Sequence, residues 1–486
     1  MASYVGIDVG TSSVKVGLLT DAGAWSVQSV PVFESSASLK TGTMDVEAWW
    51  TATLQALHNL GQSVSLEEVT ALAVIGNTPT LICLDGNGDA VYPAILWSDT
   101  RAEQEAHELL EEHTLTQWNR IYGTYIPISG AYPSAKLRWL QKHEPWVIKR
   151  TAKIVQPKDF VNYRLTQVIA GDHWTSKGLV SLDRHNGLQP LEAIGLDQSL
   201  APPCHRPVDT IGYITTSASN CTGLPQGVSV MAGWSDTLGA VLSLGLKAGD
   251  GFILSGTSDS IGMITEQSPL VTEALLCAPV WDTGYAILYG PTSSGLSTLT
   301  WADEALGPSL LAEIPETILP SAQRPLFVPY VLGQRSPIWN DRIRGAWFDV
   351  DVLTTRTQLG DAVLEGVVNA ERDVLEAVTA ATGTPCTRLV VTGGGSRVVR
   401  LNQWRTAIFD APLWEGASDP VLGAALIAYW GTHPHAFPSP EIIRSSLDRM
   451  RQIKPVAQFT SRYERYRHAK RSLVAYTLAE GMEPNE

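Results

Sequence analysis

Two Gly-Thr-Ser turns, one in each half of the chain, are the residues whose chemistry stands out first. GTSS at residues 10–13 follows one apolar run, and GTSDS at residues 256–260 follows another. Glycine lets the backbone approach a ligand closely, and the amides and hydroxyls of such a turn form a small anion cradle. One such turn is common in ordinary hairpins. Two at equivalent places predict duplicated domains that each present a loop to one phosphate chain.

Two aspartates and a glycine run extend this chemistry. Asp8 stands two residues before the first turn and is predicted to hold Mg²⁺, largely through water. Asp236 follows a strand and opens a helix, so it is either an ordinary N-cap or a carboxylate available for proton transfer. The sequence TGGGS at residues 392–396 follows a further strand and predicts a flat surface on which a nucleoside can lie.

The elements that position these residues predict an α/β protein. Three short β-branched runs at Tyr4–Val9, Val14–Thr20 and Trp25–Val32 read as a meander, and Val46–Leu60 has helical spacing. Near the middle of the chain, Leu246–Gly251 reads as a linker into the second Gly-Thr-Ser strand. The sequence therefore predicts one domain at residues 1–247 and another at residues 248–486.

Composition limits the classes of function. A chain of 486 residues predicts two domains, and 35 basic against 49 acidic residues argue against binding to nucleic acid or to an anionic membrane. Five scattered cysteines, none in a CxxC motif, are typical of a reducing cytosol and offer no zinc site. With no leader-like segment and no apolar run of about 18 residues, the protein is predicted to be cytoplasmic.

Competing nucleotide and metal signatures are absent from the sequence. No GxxxxGK[ST] motif occurs, which excludes a classical P-loop, and no GxGxxG opens a helix after a strand. The sequence DGNGD at residues 85–89 lacks the glycine and the glutamate of a calcium loop, so it is predicted to be a hairpin turn.

In their order along nearly the whole chain, these motifs resemble those of the FGGY family of carbohydrate kinases, within the actin-like ATPase superfamily. The matching stretches are GIDVGTSSVKVGL, ILWSDTRA, QPKDFVNYRLT, GWSDTLGA, LSGTSDS, PYVLGQRSPIWNDRIRGAWF, VTGGGS, LGAALIAYWG and YERYR. The resemblance implies two duplicated RNase-H-like domains around an ATP/sugar cleft. Residues 1–247 would carry the sugar site, the first phosphate loop and the catalytic aspartate, and residues 248–486 the second phosphate loop and the adenosine site.

The resemblance also implies roles for individual residues. ATP binding falls to Asp8, Gly10, Thr11, Ser12, Ser13, Gly256, Thr257, Gly393, Gly394, Gly395 and Asn402. Sugar binding falls to Asn77, Thr78, Trp97 and Asp236. Asp236 would be the general base, in the place of the family's GxxD, and Asp8 would hold the metal. The cofactors implied are ATP and Mg²⁺, the partner is a small sugar or polyol, and a homodimer is the family's common assembly.

The sugar pocket departs from the family's patterns. Xylulokinases carry GQMHG and glycerol kinases NQRE at a place where this chain has Gly76-Asn77-Thr78-Pro79-Thr80. A proline has replaced a side chain that hydrogen-bonds substrate, and such a loss changes which polyol is accepted. Trp97 reads either as a wall of this pocket or as plain core.

The chain looks closest to the xylulokinase-like branch, so transfer of the γ-phosphate of ATP to a ketopentose such as D-xylulose is expected. Kinases for L-ribulose, gluconate or glycerol stay open as alternatives. Two alternatives from another class are an actin-like ATPase that drives a partner and a catalytically silent nucleotide-binding sensor.

Overall fold

The computed structural model describes residues 2–32, 41–183, 185, 187–266, 274–280, 283–308, 310–314, 325–434, 450–456 and 460–479. The chain forms two compact units, Met1–Gly245 with Ser418–Asp448 and Leu246–Ala417 with Arg449–Glu486. The division near residue 246 lies beside the predicted one at 247/248. The described part of Ser418–Asp448 differs from the prediction, because it groups with the first unit.

The secondary structure alternates between strands and helices. The strands are β1 (Ser3–Val9), β2 (Ser13–Thr20), β3 (Trp25–Pro31), β4 (Thr43–Met44), β5 (Val69–Gly76), β6 (Ile82–Leu84), β7 (Ala94–Ile95), β8 (Lys153–Val155), β9 (Gly171–Asp172), β10 (Cys204–His205), β11 (Thr210–Tyr213), β12 (Ser229–Met231), β13 (Asp250–Leu254), β14 (Ser260–Glu266), β15 (Leu276–Pro279), β16 (Tyr285–Pro291), β17 (Leu326–Val328), β18 (Ala346–Phe348), β19 (Arg388–Thr392), β20 (Leu413–Glu415) and β21 (Arg451–Gln452).

The α-helices are α1 (Val46–Gly61), α2 (Glu103–Glu112), α3 (Leu115–Tyr122), α4 (Pro133–His143), α5 (Pro145–Arg150), α6 (Pro157–Thr166), α7 (Pro190–Ala193), α8 (Thr216–Thr222), α9 (Asp236–Ser243), α10 (Leu296–Leu306), α11 (Leu310–Glu313), α12 (Arg356–Thr382), α13 (Val399–Ile408), α14 (Pro420–Thr432) and α15 (Thr460–Ala479). Short 3₁₀ segments lie at Gln198–Leu200 and Gly394–Arg397. In the parts of the chain that the structure describes, each helix is too short or too polar to span a bilayer.

The first unit is built on a mixed sheet of order β11-β12-β5-β1-β2-β3. Strand β1 is antiparallel to β2, and β2 is antiparallel to β3, so the predicted meander is confirmed. Strand β1 is parallel to β5, which is parallel to β12. The carboxyl ends of β1, β5 and β12 therefore meet at one edge of the sheet, where ligands bind in many α/β folds.

The second unit repeats this arrangement with the strand order β15-β16-β14-β13-β19-β20-β21. Strand β13 is antiparallel to β14 and parallel to β19, as β1 is to β2 and β5. Strands β19 and β20 are again parallel, and β21 is antiparallel to β20. The two Gly-Thr-Ser turns, which follow β1 and β13, therefore occupy equivalent places in two sheets of the same topology.

Helix α14 packs backbone to backbone against β1 and α9, with glycines at the contacts. A Cβ atom at Gly423 would lie 1.9 Å from the carbonyl oxygen of Gly239 in α9. A Cβ atom at Gly6 in β1 would lie 2.1 Å from the carbonyl oxygen of Val421. This packing explains why α14 belongs to the first unit. It also fixes α9, whose first residue is Asp236.

A fully buried arginine joins several elements of the second unit. The guanidinium of Arg405 donates to the carboxylate of Glu371 at 2.5 and 3.0 Å, to Ser255 Oγ at 2.7 Å and to Asn402 Oδ1 at 2.9 Å. Asp259 lies beside this group and is also fully buried. Burial, reinforced by the charge of Glu371, raises the pKa of Asp259 well above its usual range. We call these five residues the Arg405 network.

The glycine contact gives the first prediction. Gly423→Ala is expected to lower the free energy of unfolding by about 1–3 kcal/mol, because the added methyl group meets backbone that cannot move aside. Gly86→Ala is the control, since a Cβ atom there meets nothing within 4 Å. Urea unfolding followed by circular dichroism measures both. A Gly423→Ala protein as stable as the wild type would show that α14 is free to shift.

The Arg405 network gives the second prediction. Arg405→Met is expected to lower the free energy of unfolding by about 3–5 kcal/mol, because it leaves the buried carboxylate of Glu371 without its cation. Arg451→Met is the matched control, since Arg451 pairs with Glu415 at 2.6 Å but has a side chain that is 78% exposed. The control should change stability by less than about 1 kcal/mol. Urea unfolding measures both variants. Equal losses of stability would show that the Arg405 network stabilises the protein no more than an exposed ion pair does.

Candidate active site

Asp8 lies in β1 at the edge where the carboxyl ends of the strands meet, with only 7% of its surface exposed. Burial, reinforced by the charge of Asp236 and opposed by that of Lys15, raises its pKa to about 7. Among the described residues, Oδ1 of Asp8 has no hydrogen-bond partner although it is buried. A buried carboxylate oxygen left open in this way is a fitting ligand for a cation or for the water bound to one.

The first Gly-Thr-Ser turn is held in shape from three sides. The amide of Gly10 donates to the carbonyl of Ser13 at 3.1 Å and closes the turn. The indole of Trp49 in α1 donates to the carbonyl of Gly10 at 2.9 Å. The indole of Trp97 donates to Thr11 Oγ1 at 3.0 Å. The turn is therefore fixed through its backbone and one hydroxyl before any ligand binds.

Asp236 is the first residue of α9 and not its N-cap. Ser235 is the cap, and its Oγ accepts a hydrogen bond from the amide of Leu238 at 3.4 Å. The interpretation of Asp236 as an ordinary N-cap is therefore wrong. Its Oδ1 accepts from the amide of Thr237 at 2.6 Å. Burial raises the pKa of Asp236, whereas the hydrogen bonds from Thr237 and the charge of Lys177 lower it.

The strand ends of the first unit are fastened to one another. Gly76, the last residue of β5, forms a parallel bridge with Ser235. Asn77 donates from its amide N and its Nδ2 to the carbonyl of Val9, at 3.1 and 2.9 Å. These contacts bring the first turn, Asn77 and Asp236 to the same edge of the sheet.

Helix α6 explains the motif QPKDFVNYRLT. Lys158 is almost fully buried, and its Nζ lies 2.5 Å from Asp159 and 3.0 Å from Asp172. The same Nζ donates to the carbonyl of Ala232 at 3.0 Å, and Asn162 Nδ2 donates to that carbonyl at 3.1 Å. Two side chains of one helix thus hold the backbone that leads from β12 into the GWSD turn.

The loop after β5 carries the predicted sugar contacts. Thr80 Oγ1 donates to Asn77 Oδ1 at 2.5 Å and accepts from the amide of Trp97 at 3.2 Å. Thr78 Oγ1 donates to the carbonyl of Thr175 at 3.4 Å. Trp97 is 46% exposed, so the alternative that places it in the core is wrong. Its indole lies against the first turn and beside this loop.

Two buried lysines near this loop were missed by the sequence analysis. Lys136 is fully buried, and its Nζ donates to the carbonyls of Pro79 and Leu96 at 3.0 and 2.7 Å. Lys177 is 5% exposed, and burial lowers its pKa to about 8. The signal that could have found Lys136 is a lysine between apolar neighbours in a helix. Lys177 lies in a turn and has no comparable periodic signal.

The second Gly-Thr-Ser turn is held from within its own unit. The amide of Gly256 donates to Asp259 Oδ1 at 3.0 Å. At the start of α10, the amides of Leu296 and Ser297 donate to the carbonyls of Gly256 and Thr257 at 2.9 and 3.0 Å. The side chain of Thr257 stays exposed. The turn is therefore tied down through the amide of Gly256 and through the carbonyls of Gly256 and Thr257, and the side chain of Thr257 takes no part in this support.

The glycine turn after β19 needs its glycines because Ser255, the residue that follows β13, lies directly against it. A Cβ atom at Gly393 would lie 2.4 Å from the carbonyl oxygen of Ser255, and Gly393 has a φ of +86°. A Cβ atom at Gly395 would lie 2.1 Å from Ser255 Oγ. Gly393 and Gly394 are exposed. The turn thus presents bare backbone to the surroundings, as the predicted nucleoside surface requires.

The side chain of Asn402 forms hydrogen bonds within the second unit. Its Nδ2 donates to the carbonyl of Ser396 at 2.6 Å, and its Oδ1 accepts from Arg405. Arg405 also donates to the carbonyl of Gly395 at 3.3 Å. Asn402 therefore shapes the glycine turn, and its contact with adenosine stays a prediction.

The residues predicted from the sequence fall into two groups, one in each unit. The first unit holds Asp8, Gly10, Thr11, Ser12, Ser13, Asn77, Thr78, Trp97 and Asp236, and the second unit holds Gly256, Thr257, Gly393, Gly394, Gly395 and Asn402. Within the described ranges, no cluster of three or more His, Cys, Asp or Glu side chains could hold a metal ion. A single carboxylate such as Asp8 suits Mg²⁺, which keeps much of its water.

Family models match both units of the chain. The model of the N-terminal domain of the FGGY family of carbohydrate kinases matches residues 3–243, and that of the C-terminal domain matches residues 251–432. Together they cover most of the chain.

Individual relatives agree with this match. The chain is 30% identical over 452 residues to the xylulose kinase of Escherichia coli strain K12, covering 89% of this chain and 90% of the relative. The structure of xylulose kinase from Rhodospirillum rubrum is similar in fold, with a TM-score of 0.83 and 24% identity over 98% of both chains. That of gluconate kinase from Lactobacillus acidophilus is equally similar, with a TM-score of 0.82 and 20% identity over 98% of both chains. The chain therefore belongs to the FGGY family of carbohydrate kinases, has the actin-like ATPase fold and is a sugar kinase, a phosphotransferase that uses an alcohol group as acceptor.

Proposed function

We propose that the protein transfers the γ-phosphoryl group of ATP to a hydroxyl of a ketopentose, with D-xylulose as the first candidate, and that Asp236 is the general base. The observation that carries the proposal is the position of Asp236. It opens α9 at the edge that also holds Asp8, the first turn and Asn77. The two hydrogen bonds from Thr237 both go to Oδ1 of Asp236, which leaves Oδ2 to meet an acceptor hydroxyl.

In the proposed reaction, the oxygen of the acceptor hydroxyl attacks the γ-phosphorus, and Asp236 takes the proton of that hydroxyl. The bond between that phosphorus and the bridging oxygen of ADP breaks, and Asp236 later releases the proton to water. Burial raises the pKa of Asp236, which makes its carboxylate a stronger base than an exposed aspartate. A positioned base of this kind contributes about 10²–10⁴-fold in rate.

The phosphate chain carries negative charge that must be neutralised during transfer. The amides and hydroxyls of Thr11, Ser12 and Ser13 are suited to contact phosphate oxygens at the first turn. When bound, Mg²⁺ would neutralise charge on the transferred group, and Asp8 is the residue that would hold it. In this proposal Gly256 and Thr257 also contact phosphate, and the glycine turn contacts adenosine.

Two observations bear on which acceptor the enzyme uses. Curated relatives named xylulose kinase favour D-xylulose, whereas the similar structure of a gluconate kinase shows that this fold serves other acceptors. The Thr78-Pro79 pair also removes a hydrogen-bonding side chain from the pocket. A nucleotide-binding sensor without chemistry is not favoured, because Asp8, both turns and Asp236 are all retained.

The third prediction tests the base. Among D-xylulose, L-ribulose, D-gluconate and glycerol, one acceptor should stimulate ADP release from Mg–ATP. With that acceptor, Asp236→Asn should lower kcat about 10²–10⁴-fold, because the amide cannot take the proton. ATP affinity should stay within about twofold.

The matched control is Asp45→Asn, which changes an aspartate at the start of α1. Asp45 caps that helix by accepting from the amide of Glu47 at 3.0 Å, a role that asparagine fills equally well. Wild-type turnover is expected for this control. An Asp236→Asn enzyme with near-normal kcat would rule out Asp236 as the base.

A further inference from the structure

Lys177 is a buried cation whose donors are not used up by the protein. It follows β9 in the turn Asp172–Lys177, and only 5% of its surface is exposed. Among the described residues, the acceptor that its Nζ reaches is the carbonyl oxygen of Trp174 at 3.3 Å. The Nζ also lies 4.8 Å from the centre of the Trp174 ring. An ammonium group has three N–H donors, so this environment leaves donor capacity unused.

The other buried lysines of the first unit are better satisfied. Lys158 reaches two carboxylates and a carbonyl, at 2.5, 3.0 and 3.0 Å. Lys136 donates to two carbonyls. Because burying a charge without partners is costly, a lysine such as Lys177 calls for a ligand atom that the protein does not supply.

The position of Lys177 relates it to the acceptor pocket. The hydrogen bond from Thr78 to the carbonyl of Thr175 fastens the turn that carries Lys177 to the pocket loop. On the other side, Asp172 begins the same turn and contacts Lys158, which holds the backbone leading into the GWSD turn. The charges that face Lys177 are those of Asp172 and Asp236.

We propose that Lys177 is a specificity-determining residue that donates a hydrogen bond to an oxygen of the acceptor, next to the hydroxyl that is phosphorylated. This inference rests on the proposed function. Where Pro79 deprives the pocket of a donor, Lys177 supplies a charged one. The recognised chemistry is an oxygen acceptor on a polyhydroxylated substrate. It is provided either by a hydroxyl or carbonyl of a neutral ketose or by the carboxylate of a sugar acid.

The fourth prediction is a selective loss of acceptor binding in Lys177→Met. Hydrogen bonds to charged groups contribute enough that losing one should weaken acceptor binding about 10- to 100-fold. Calorimetric titration with D-xylulose and with D-gluconate, in the presence of a non-hydrolysable ATP analogue, measures it without any turnover. Affinity for the analogue itself should change less than about twofold. Lys177→Arg should bind the acceptor better than Lys177→Met, because it keeps a charged donor.

The matched control is Lys153→Met. Lys153 donates from Nζ to two carbonyls, those of Ser199 and Ala201 at 2.5 and 3.2 Å, and it lies at the opposite end of β8 from the site. Methionine is similar in size to lysine, so Lys177→Met removes the buried charge with little change in volume. Thermal melting checks that the variant is folded. If it does not fold, Lys177→Gln is titrated in its place and the same weakening is expected.

The outcomes separate this inference from the proposed function. Weaker acceptor binding in the Lys177 variant, with the control unchanged, supports the role of Lys177 whether or not turnover is seen. The acceptor that loses more affinity shows which oxygen is recognised. Unchanged acceptor affinity, or equal losses for acceptor and nucleotide, would overturn the inference while kinase activity stands. If neither acceptor binds to the wild type, the inference falls, and the turnover assay decides the proposed function separately.

Discussion

The site in the first unit depends on how the backbone carbonyls at the ends of two strands are held. The carbonyl of Val9 accepts from Asn77, and that of Ala232 accepts from Lys158 and Asn162. Both carbonyls lie where strands give way to turns. The carbonyl of Val9 accepts from the backbone amide as well as from Nδ2 of Asn77, and that of Ala232 accepts from two side chains. Because side chains satisfy them, the turns that carry the candidate chemistry can leave the sheet at fixed angles. The positions of the proposed phosphate loop and of the proposed base are therefore set by the backbone.

The two units share a topology but stabilise their turns by different means. In the first unit, glycines allow α14 to lie directly on β1 and α9, and a charged cluster on α6 holds the approach to Asp236. In the second unit, the buried side chain of Arg405 contacts both turns. It donates to Ser255, the residue before the Gly-Thr-Ser turn, and to the carbonyl of Gly395 in the glycine turn. Duplication thus conserved the sheet order, while the supporting side chains differ between the halves.

Much of the fold could be predicted from the sequence because its signals are local. The meander at the start and the helix Val46–Gly61 follow from residue periodicity, and the turns follow from glycine and hydroxyl residues. Ser235 as the cap before Asp236 was missed, because a serine and an aspartate in succession can each fill that position. Long-range contacts have no local signal, which is why α14 in the first unit was not predicted from its position late in the chain.

The candidate site was predictable in its turns and carboxylates and less so in its buried cations. Asp8, Asn77 and Asp236 belong to recognisable motifs, and the structure places them at one edge of a sheet. The importance of Lys136 and Lys177 depends on burial and on neighbours far apart in sequence, which no spacing reveals. The sequence leaves both interpretations of Trp97 open, because exposure depends on tertiary packing that has no local signal.

The most direct test of phosphoryl transfer to a sugar is to identify the product. The protein is incubated with Mg–ATP and D-xylulose, and the reaction is followed by ³¹P nuclear magnetic resonance. If the sugar is the acceptor, a sugar phosphomonoester forms in equal amount with ADP. Inorganic phosphate formed in equal amount with ADP, with the sugar unchanged, would contradict transfer to the sugar, because water and not the sugar would then be the acceptor.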